Sequence, residues 1–205
     1  MDIAELQRLL PHNSLRRASE LPSRAVTWTL KALCGSLVQL SWGGHSAAYA
    51  LAAELVTETQ QAHQFCAWIR PAASGVHPPD LYRWGIDPAA LPFVMLDEPL
   101  ARLQATETLA CSGAFSTLIV ECDQHLAVAP AKRLADSAKR HQVVIVLLTP
   151  QKDSGSGPGW RLAHVQVRTE RQALPNGRFC IQVCDADRPE SPIHTVTVHG
   201  STGLH

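Results

Sequence analysis

The sequence lacks the features of a membrane protein, a disordered chain or an independent nucleic-acid binder. Its 18 Lys and Arg balance 18 Asp and Glu, and charged residues make up only 18% of its 205 positions. Without a basic excess, any DNA contact is local or shared with a partner. The longest apolar run, Val143–Leu148, is far shorter than the ~20 residues that span a bilayer, and the amino terminus has no signal-peptide pattern. We therefore expect a cytosolic protein with no membrane contact.

The sequence also lacks a cysteine and histidine pattern that would hold a metal. Most of the six cysteines lie in apolar segments such as Phe65–Ile69, which is typical of free buried thiols. The close pair Cys180 and Cys184 is separated by about 13 Å if the segment is a strand, and His194 and His199 then fall on opposite faces. We expect no metal and no cofactor. The six cysteines are Cys34, Cys66, Cys111, Cys122, Cys180 and Cys184.

Short apolar runs alternate with helical patterns through the middle of the chain. This succession predicts right-handed crossovers and a mostly parallel central sheet flanked by helices, an α/β fold. The predicted strands are Ser36–Ser41, Phe65–Ile69, Pro92–Leu96, Ser116–Glu121 and Gln142–Leu148, and the predicted helices are Ser46–Thr59, Asp80–Trp84, Pro99–Ser112 and Ala129–His141.

The pattern changes after Pro150. Residues 151–159 are rich in glycine and serine and are predicted to form a mobile loop. Three alternating segments in 160–205, Leu162–Arg168, Phe179–Cys184 and His194–His199, are predicted to add antiparallel carboxy-terminal strands at the sheet edge. We divide the chain into an amino-terminal amphipathic segment and linker, 1–24, and one α/β domain, 25–205.

A strand, a glycine-containing turn and a helix follow one another near the start of this domain. They are the frame of a phosphate-binding loop, in which a lysine meets the phosphates and a hydroxyl holds Mg²⁺. Here Ala48 stands in place of the lysine and Tyr49 in place of the hydroxyl, so we expect no ATPase activity. A plain turn is favoured over weak anion binding. The eight positions are Trp42, Gly43, Gly44, His45, Ser46, Ala47, Ala48 and Tyr49.

From about Gly35 to Leu148 the chain resembles the bacterial RecA-type recombinases. Val38–Glu54 aligns with their first strand, P-loop and helix, and Trp84–Asp87 with the step after their second strand. Ser112–Glu121 resembles the segment that ends in their Walker B aspartate.

The resemblance implies a RecA-like fold with an altered catalytic centre. Glu121 keeps a Walker B-like carboxylate, whereas Arg70 and Ala72 lie where RecA proteins carry the catalytic glutamate. The bulky Trp42 and Tyr49 would fill the space of the phosphates.

Among RecA-like proteins without a working P-loop, the chain resembles the ImuA-type accessory proteins and, more distantly, the SulA-type division inhibitors. The ImuA type is favoured by the amino-terminal segment and the carboxy-terminal hairpin. It implies a non-catalytic scaffold of the SOS response in translesion DNA synthesis, which binds an ImuB-like Y-family protein, RecA or the error-prone polymerase and modulates RecA activity. The alternative is a SulA-like inhibitor of cell division that binds FtsZ.

Two segments are candidates for partner contact. The amino-terminal apolar stripe could dock on a partner or a second copy, or pack on its own domain; it consists of Ile3, Leu6, Leu9 and Leu10. The loop 151–159 corresponds in position to a DNA-binding loop of RecA proteins, and its alternative is a plain linker. The candidate DNA-binding residues in and after it are Lys152, Arg161, Arg168 and Arg171, and with one cation inside the loop the affinity would be weak and salt-dependent.

Several polar residues follow the predicted strands. Because ligands gather at the carboxyl ends of parallel strands, Asp97, Glu121, Asp123 and His45 could face one crevice. The chain contains no GxSxG nucleophile motif, so an inherited crevice without catalysis is favoured over an active site. The basic residues of 129–141 have the spacing of a solvated helix face.

Overall fold

A computed structural model gives the fold. It describes residues 28–42, 47–74, 76, 81–122, 126–150, 165–173, 179–185 and 188–198, and from Pro150 onward it describes the backbone only.

Four α-helices and eight strands make up the described chain. The helices are α1 (Leu30–Leu33), α2 (Ala47–Gln61), α3 (Pro99–Cys111) and α4 (Val128–His141). The strands are β1 (Leu37–Trp42), β2 (Phe65–Arg70), β3 (Phe93–Met95), β4 (Phe115–Glu121), β5 (Val144–Pro150), β6 (Val165–Ala173), β7 (Phe179–Asp185) and β8 (Arg188–Val198).

The first five strands form an all-parallel sheet in the order β3-β2-β4-β5-β1. The predicted α/β fold with a parallel central sheet is therefore confirmed for this part of the chain. By backbone pairing, β6 lies parallel to β1, and β7 and β8 follow with antiparallel pairing. The predicted loop 151–159 lies outside the described residues.

Helices cover both faces of the parallel sheet because its strands are apolar on both sides. Alternate residues of β5 illustrate this: Val144 and Val146 belong to the core under α2, and Ile145 belongs to the core under α3 and α4. The α2 side also includes Trp28, whose indole nitrogen donates to the carbonyl oxygen of Leu51 at 3.2 Å. Two apolar layers thus hold the sheet from opposite sides.

The direction of the crossovers fixes which helix lies on which face. The chain crosses from β1 over β5 and β4 to reach β2 through α2, and it returns in the opposite direction from β3 to β4 and β5 through α3 and α4. Right-handed crossovers in opposite directions place their helices on opposite faces. Because α2 follows the carboxyl end of β1 and the strands are parallel, α2 begins at the same edge of the sheet where β2 and β4 end.

The structure refines two of the sequence expectations. Of the predicted helix Asp80–Trp84, Leu81 is α-helical and Tyr82–Trp84 form a 3-10 helix, whereas Asp80 lies outside the described residues. The 3-10 helix ends because Gly85 takes a left-handed conformation with φ of 76°. The expectation of buried thiols is right for Cys66 and Cys122 and wrong for Cys34 and Cys111, which are exposed.

The two exposed thiols lie at the ends of helices, which explains the difference. Cys111 is the last residue of α3, and Cys34 follows α1 directly. A residue at the end of a helix can stay exposed even when its neighbours in the sequence are apolar, because the helix end projects beyond the sheet. The Cys34 thiol donates to the carbonyl oxygen of Gln142 at 3.2 Å.

Two buried hydroxyls join α2 to β4, and they predict a coupled effect on stability. The Thr59 hydroxyl lies 2.6 Å from the carbonyl oxygen of Leu55 and 2.7 Å from the Thr117 hydroxyl. Thr59→Val leaves the Thr117 hydroxyl buried without its partner, so we expect a loss of about 1–3 kcal/mol in the free energy of unfolding.

The double variant Thr59→Val/Thr117→Val removes both polar groups at nearly constant shape, and we expect it to lose less than the sum of the two single variants. Urea unfolding of all four proteins measures this coupling. Strictly additive losses would show that the two hydroxyls do not interact.

Candidate functional site: the carboxylate at the end of the fourth strand

Glu121 is the last residue of β4 and lies at the carboxyl edge of the parallel sheet. Its side chain points to the α2 face, because strand residues alternate and Ile119, two residues earlier, packs in the core under α2. Only 5% of Glu121 is exposed. A buried carboxylate needs hydrogen-bond donors, since an unpartnered one is costly in an apolar environment.

Donors from three elements meet this carboxylate. The indole nitrogen of Trp68, in β2, donates to Glu121 Oε1 at 2.9 Å. The hydroxyl of Ser74, in the turn after β2, donates to the same oxygen at 2.7 Å. The side chain of Tyr49, in the first turn of α2, also hydrogen-bonds the carboxyl group. Glu121 therefore ties a helix, a strand and a turn together.

Aromatic stacking holds these donors in place. The rings of Tyr49 and Trp68 stack with centroids 6.3 Å apart and planes 9° from parallel, and Phe93 follows Trp68 at 6.4 Å. The Arg70 guanidinium lies 5.0 Å from the centre of the Phe93 ring, within the range of a cation–π contact. The contacting rings thus connect the first turn of α2 with β2 and β3.

Arg70 supplies a positive charge that acts on this group. It is buried, and its Nη1 donates to the carbonyl oxygen of Val76 at 3.2 Å. Ser74 Oγ also accepts from the backbone nitrogen of Val76 at 3.2 Å. The turn after β2 is thus fixed from both sides, by Arg70 and by Glu121.

Burial dominates the ionisation of the carboxyl group. Desolvation raises the pKa of Glu121 above its ordinary value, and the hydrogen bonds from Ser74 and Trp68 together with the charge of Arg70 oppose this shift without cancelling it. Burial likewise raises the pKa of the Cys66 thiol to about 11. Cys66 is therefore protonated at neutral pH and is a poor nucleophile.

The hydrogen bonds to Glu121 affect whether its oxygens are accessible to a metal ion. A Walker B-type carboxylate acts by orienting Mg²⁺ and its water shell, which requires carboxylate oxygens that face open space. Here one oxygen already accepts two hydrogen bonds, and Tyr49 occupies the position that a Mg²⁺-binding hydroxyl would take. Within the described residues, no group of three His, Cys, Asp or Glu side chains could hold a metal ion.

The phosphate-loop positions are described in part. Ala48, at the lysine position, is fully buried in the core under α2, and Tyr49 is half-buried against Trp68. The backbone of Trp42 ends β1 and that of Ala47 begins α2. Gly43, Gly44, His45 and Ser46 lie outside the described residues.

Two of the four residues of the predicted crevice, Asp97 and Glu121, lie within the described part of the chain. Asp97 is exposed, and its Oδ1 accepts from the backbone nitrogen of Ala72 at 2.9 Å, so it supports the turn that Ser74 belongs to. Its hydrogen bond goes to the backbone, whereas Glu121 is buried among side chains. Asp123 and His45 lie outside the described residues.

Most of the other predicted contact residues lie outside the described part of the chain. They are Ile3, Leu6, Leu9, Leu10, Lys152 and Arg161. Arg168 and Arg171 belong to β6, where their backbones pair with Cys184 and Ile181. Among the described helices, none combines the length and the apolar character needed to cross a bilayer.

Comparison with known proteins finds likenesses among solved structures. No family model and no curated protein sequence matches the chain. Among solved structures, SulA from Pseudomonas aeruginosa is similar with a TM-score of 0.48 and 21% identity, over 56% of this chain and 98% of the SulA chain. A likeness of this size concerns the fold and is no evidence of a shared function. The ImuA-type resemblance stays a prediction.

Trp68 and Ser74 are the members of this site that the sequence patterns did not single out. A signal was present for Trp68, because it lies two residues before Arg70 on the same face of β2. Nothing in the sequence distinguishes Ser74 from any other turn serine. Ser74 can donate to Glu121 because the turn lies close to the end of β4.

The raised pKa of Glu121 predicts how the stability of the protein depends on pH. A carboxyl group whose pKa is higher in the folded than in the unfolded state favours folding fully at low pH, and this contribution is lost as pH rises through the folded pKa. Glu121→Gln carries no charge at any pH. We therefore expect its stability relative to the natural protein to improve as pH increases from mildly acidic to neutral.

Urea unfolding of both proteins from pH 4.5 to pH 8 measures the difference at each pH, and Glu98→Gln is the control for removal of an exposed carboxylate. A difference that changes in the opposite direction would mean that the folded protein stabilises the ionised form of Glu121.

Proposed function

We propose that the chain is a non-catalytic RecA-like accessory domain of the ImuA type, which acts in translesion DNA synthesis during the SOS response by binding other proteins. The observation that carries the proposal is the arrangement at Glu121. Its carboxyl group is engaged by Tyr49, Trp68 and Ser74, so the carboxylate at the Walker B-like position already has partners within the chain itself.

A carboxylate that is already hydrogen-bonded changes what the fold can do. Phosphoryl transfer depends on a metal and a cation that stabilise the charge of the transferred group. Alanine at position 48 provides no cation, and a metal ion bound at Glu121 Oε1 would have to displace two hydrogen bonds. The remaining capacity of the domain is recognition through its surface, in a body shaped like a recombinase subunit.

The proposed partners are an ImuB-like Y-family protein and RecA, with the error-prone polymerase as a further member of the assembly. The basis for these partners is the sequence resemblance. The amino-terminal stripe is the proposed contact, as a helix whose apolar residues enter a groove on the partner. Any DNA contact through Lys152 or Arg161 is proposed as weak and indirect.

A binding experiment with matched variants tests this function. Tagged full-length protein is incubated with purified RecA, with the ImuB-like protein and with FtsZ, and the bound fraction is measured. Ile3→Asp/Leu6→Asp introduces charge into the apolar stripe, and Ala4→Asp/Gln7→Asp introduces the same charge beside it. We expect binding of RecA or the ImuB-like protein to fall at least about tenfold in the first variant only.

The same experiment separates the SulA-type alternative. Loss of FtsZ polymer from the pellet in a sedimentation assay, with no capture of RecA or the ImuB-like protein, would replace the proposed function with inhibition of cell division. Capture of neither partner and no effect on FtsZ would refute both assignments.

A further inference from the structure

The outer face of α4 carries a concentrated positive charge. Ala131, Leu134 and Ala138 are buried against the sheet, as expected for an amphipathic helix. The opposite face exposes four cations and one carboxylate, in a chain whose formal net charge is zero. We call these residues the α4 cation face: Lys132, Arg133, Asp136, Lys139 and Arg140.

The spacing of the cations forms two short rows along the helix. Lys132 and Lys139 are seven residues apart, as are Arg133 and Arg140, which corresponds to about 10.5 Å along the helix axis. Arg133 makes an ion pair with Glu107 of α3 at 3.4 Å. Within the described part of the chain, Lys132, Lys139 and Arg140 have no ion pair. Most of the positive charge is therefore available to another molecule.

Two neighbours of the cations indicate the chemistry of that molecule. Asp136 lies between the rows, one turn from Lys132 and from Arg140, and it would repel a continuous line of phosphates. Val128 is 46% exposed and lies one turn before Lys132, where a phosphate backbone offers nothing apolar to cover it. Both features are matched by a protein segment, which can carry a cation and an apolar side chain among its carboxylates.

We propose that the α4 cation face binds an acidic helical segment of a partner protein. Carboxylates seven residues apart on that segment would meet the two cation rows, a central Lys or Arg would meet Asp136, and an apolar side chain would cover Val128. Charge complementarity of this kind speeds association and selects the partner. The proposal does not depend on which of the assemblies named above the protein joins.

A designed peptide tests the proposal with the full-length protein. The probe is a fluorescein-labelled 18-residue helical peptide with four Glu in two rows seven residues apart, one central Lys and one Leu, and its control is a peptide of the same composition in scrambled order. Anisotropy titrations at 50 mM and 300 mM salt give the dissociation constants. We expect the patterned peptide to bind more tightly than the scrambled one and more weakly at high salt.

Variants of the cation face locate the contact. Each exposed charge pair contributes a factor of about two to three, so we expect Lys132→Gln/Lys139→Gln/Arg140→Gln to weaken peptide binding about tenfold or more. Lys31→Gln removes an exposed cation from α1 and is expected to leave binding unchanged. Thermal unfolding of each variant verifies that the fold is intact, as substitutions on this exposed face remove no buried contact.

Asp136→Asn separates a protein partner from a nucleic acid. We expect it to weaken binding of the patterned peptide, whose Lys loses its partner, whereas a 30-nucleotide oligo(dT) would bind more tightly once the negative charge is removed. Three results would overturn the proposal: equal binding of the scrambled peptide, no loss in the triple variant, or oligo(dT) binding that exceeds peptide binding and is lost in the triple variant.

Discussion

The carboxyl group of Glu121 and the three side chains that hydrogen-bond it connect most of the features of this domain. Trp68 comes from β2, Ser74 from the following turn and Tyr49 from the first turn of α2. A buried carboxylate is costly unless donors surround it, and here the donors are themselves held by stacking of Tyr49 on Trp68. The start of α2 and the ends of β2 and β4 are therefore fixed by one group.

Apolar packing on both sides of the sheet holds the fold around this group. The parallel sheet, its crossovers and the two apolar layers depend on continuous hydrophobic strands, and none of these needs a phosphate. Ala48 fills a buried helix position that a lysine would leave polar, and the aromatic side chains fill the adjacent space. At this edge the chain gains packing and hydrogen bonding. On the exterior, the α4 cation face provides a charged surface.

The sequence was sufficient to predict the parallel part of the fold. Runs such as Val143–Leu148 are long, apolar and bounded by polar turns, so their strands were predicted to within one or two residues. Ala48 and Tyr49 were identified because the loop pattern has fixed spacing. The closure of the site by Trp68 and Ser74 was not predicted, because it depends on the parallel register that brings Trp68 opposite Ile119 and Ser74 near the end of β4. Contacts of this kind follow from pairing between distant strands, which periodicity does not specify.

The most direct test of this account is calorimetric titration of the full-length protein with ATP and Mg²⁺, together with a phosphate-release assay, each repeated with EDTA. Because the carboxylate that would orient the metal is already hydrogen-bonded and no lysine meets the phosphates, the account predicts no saturable heat and no phosphate release above the buffer rate. Saturable binding that requires Mg²⁺, or ATP hydrolysis that EDTA abolishes and Glu121→Ala removes, would contradict it.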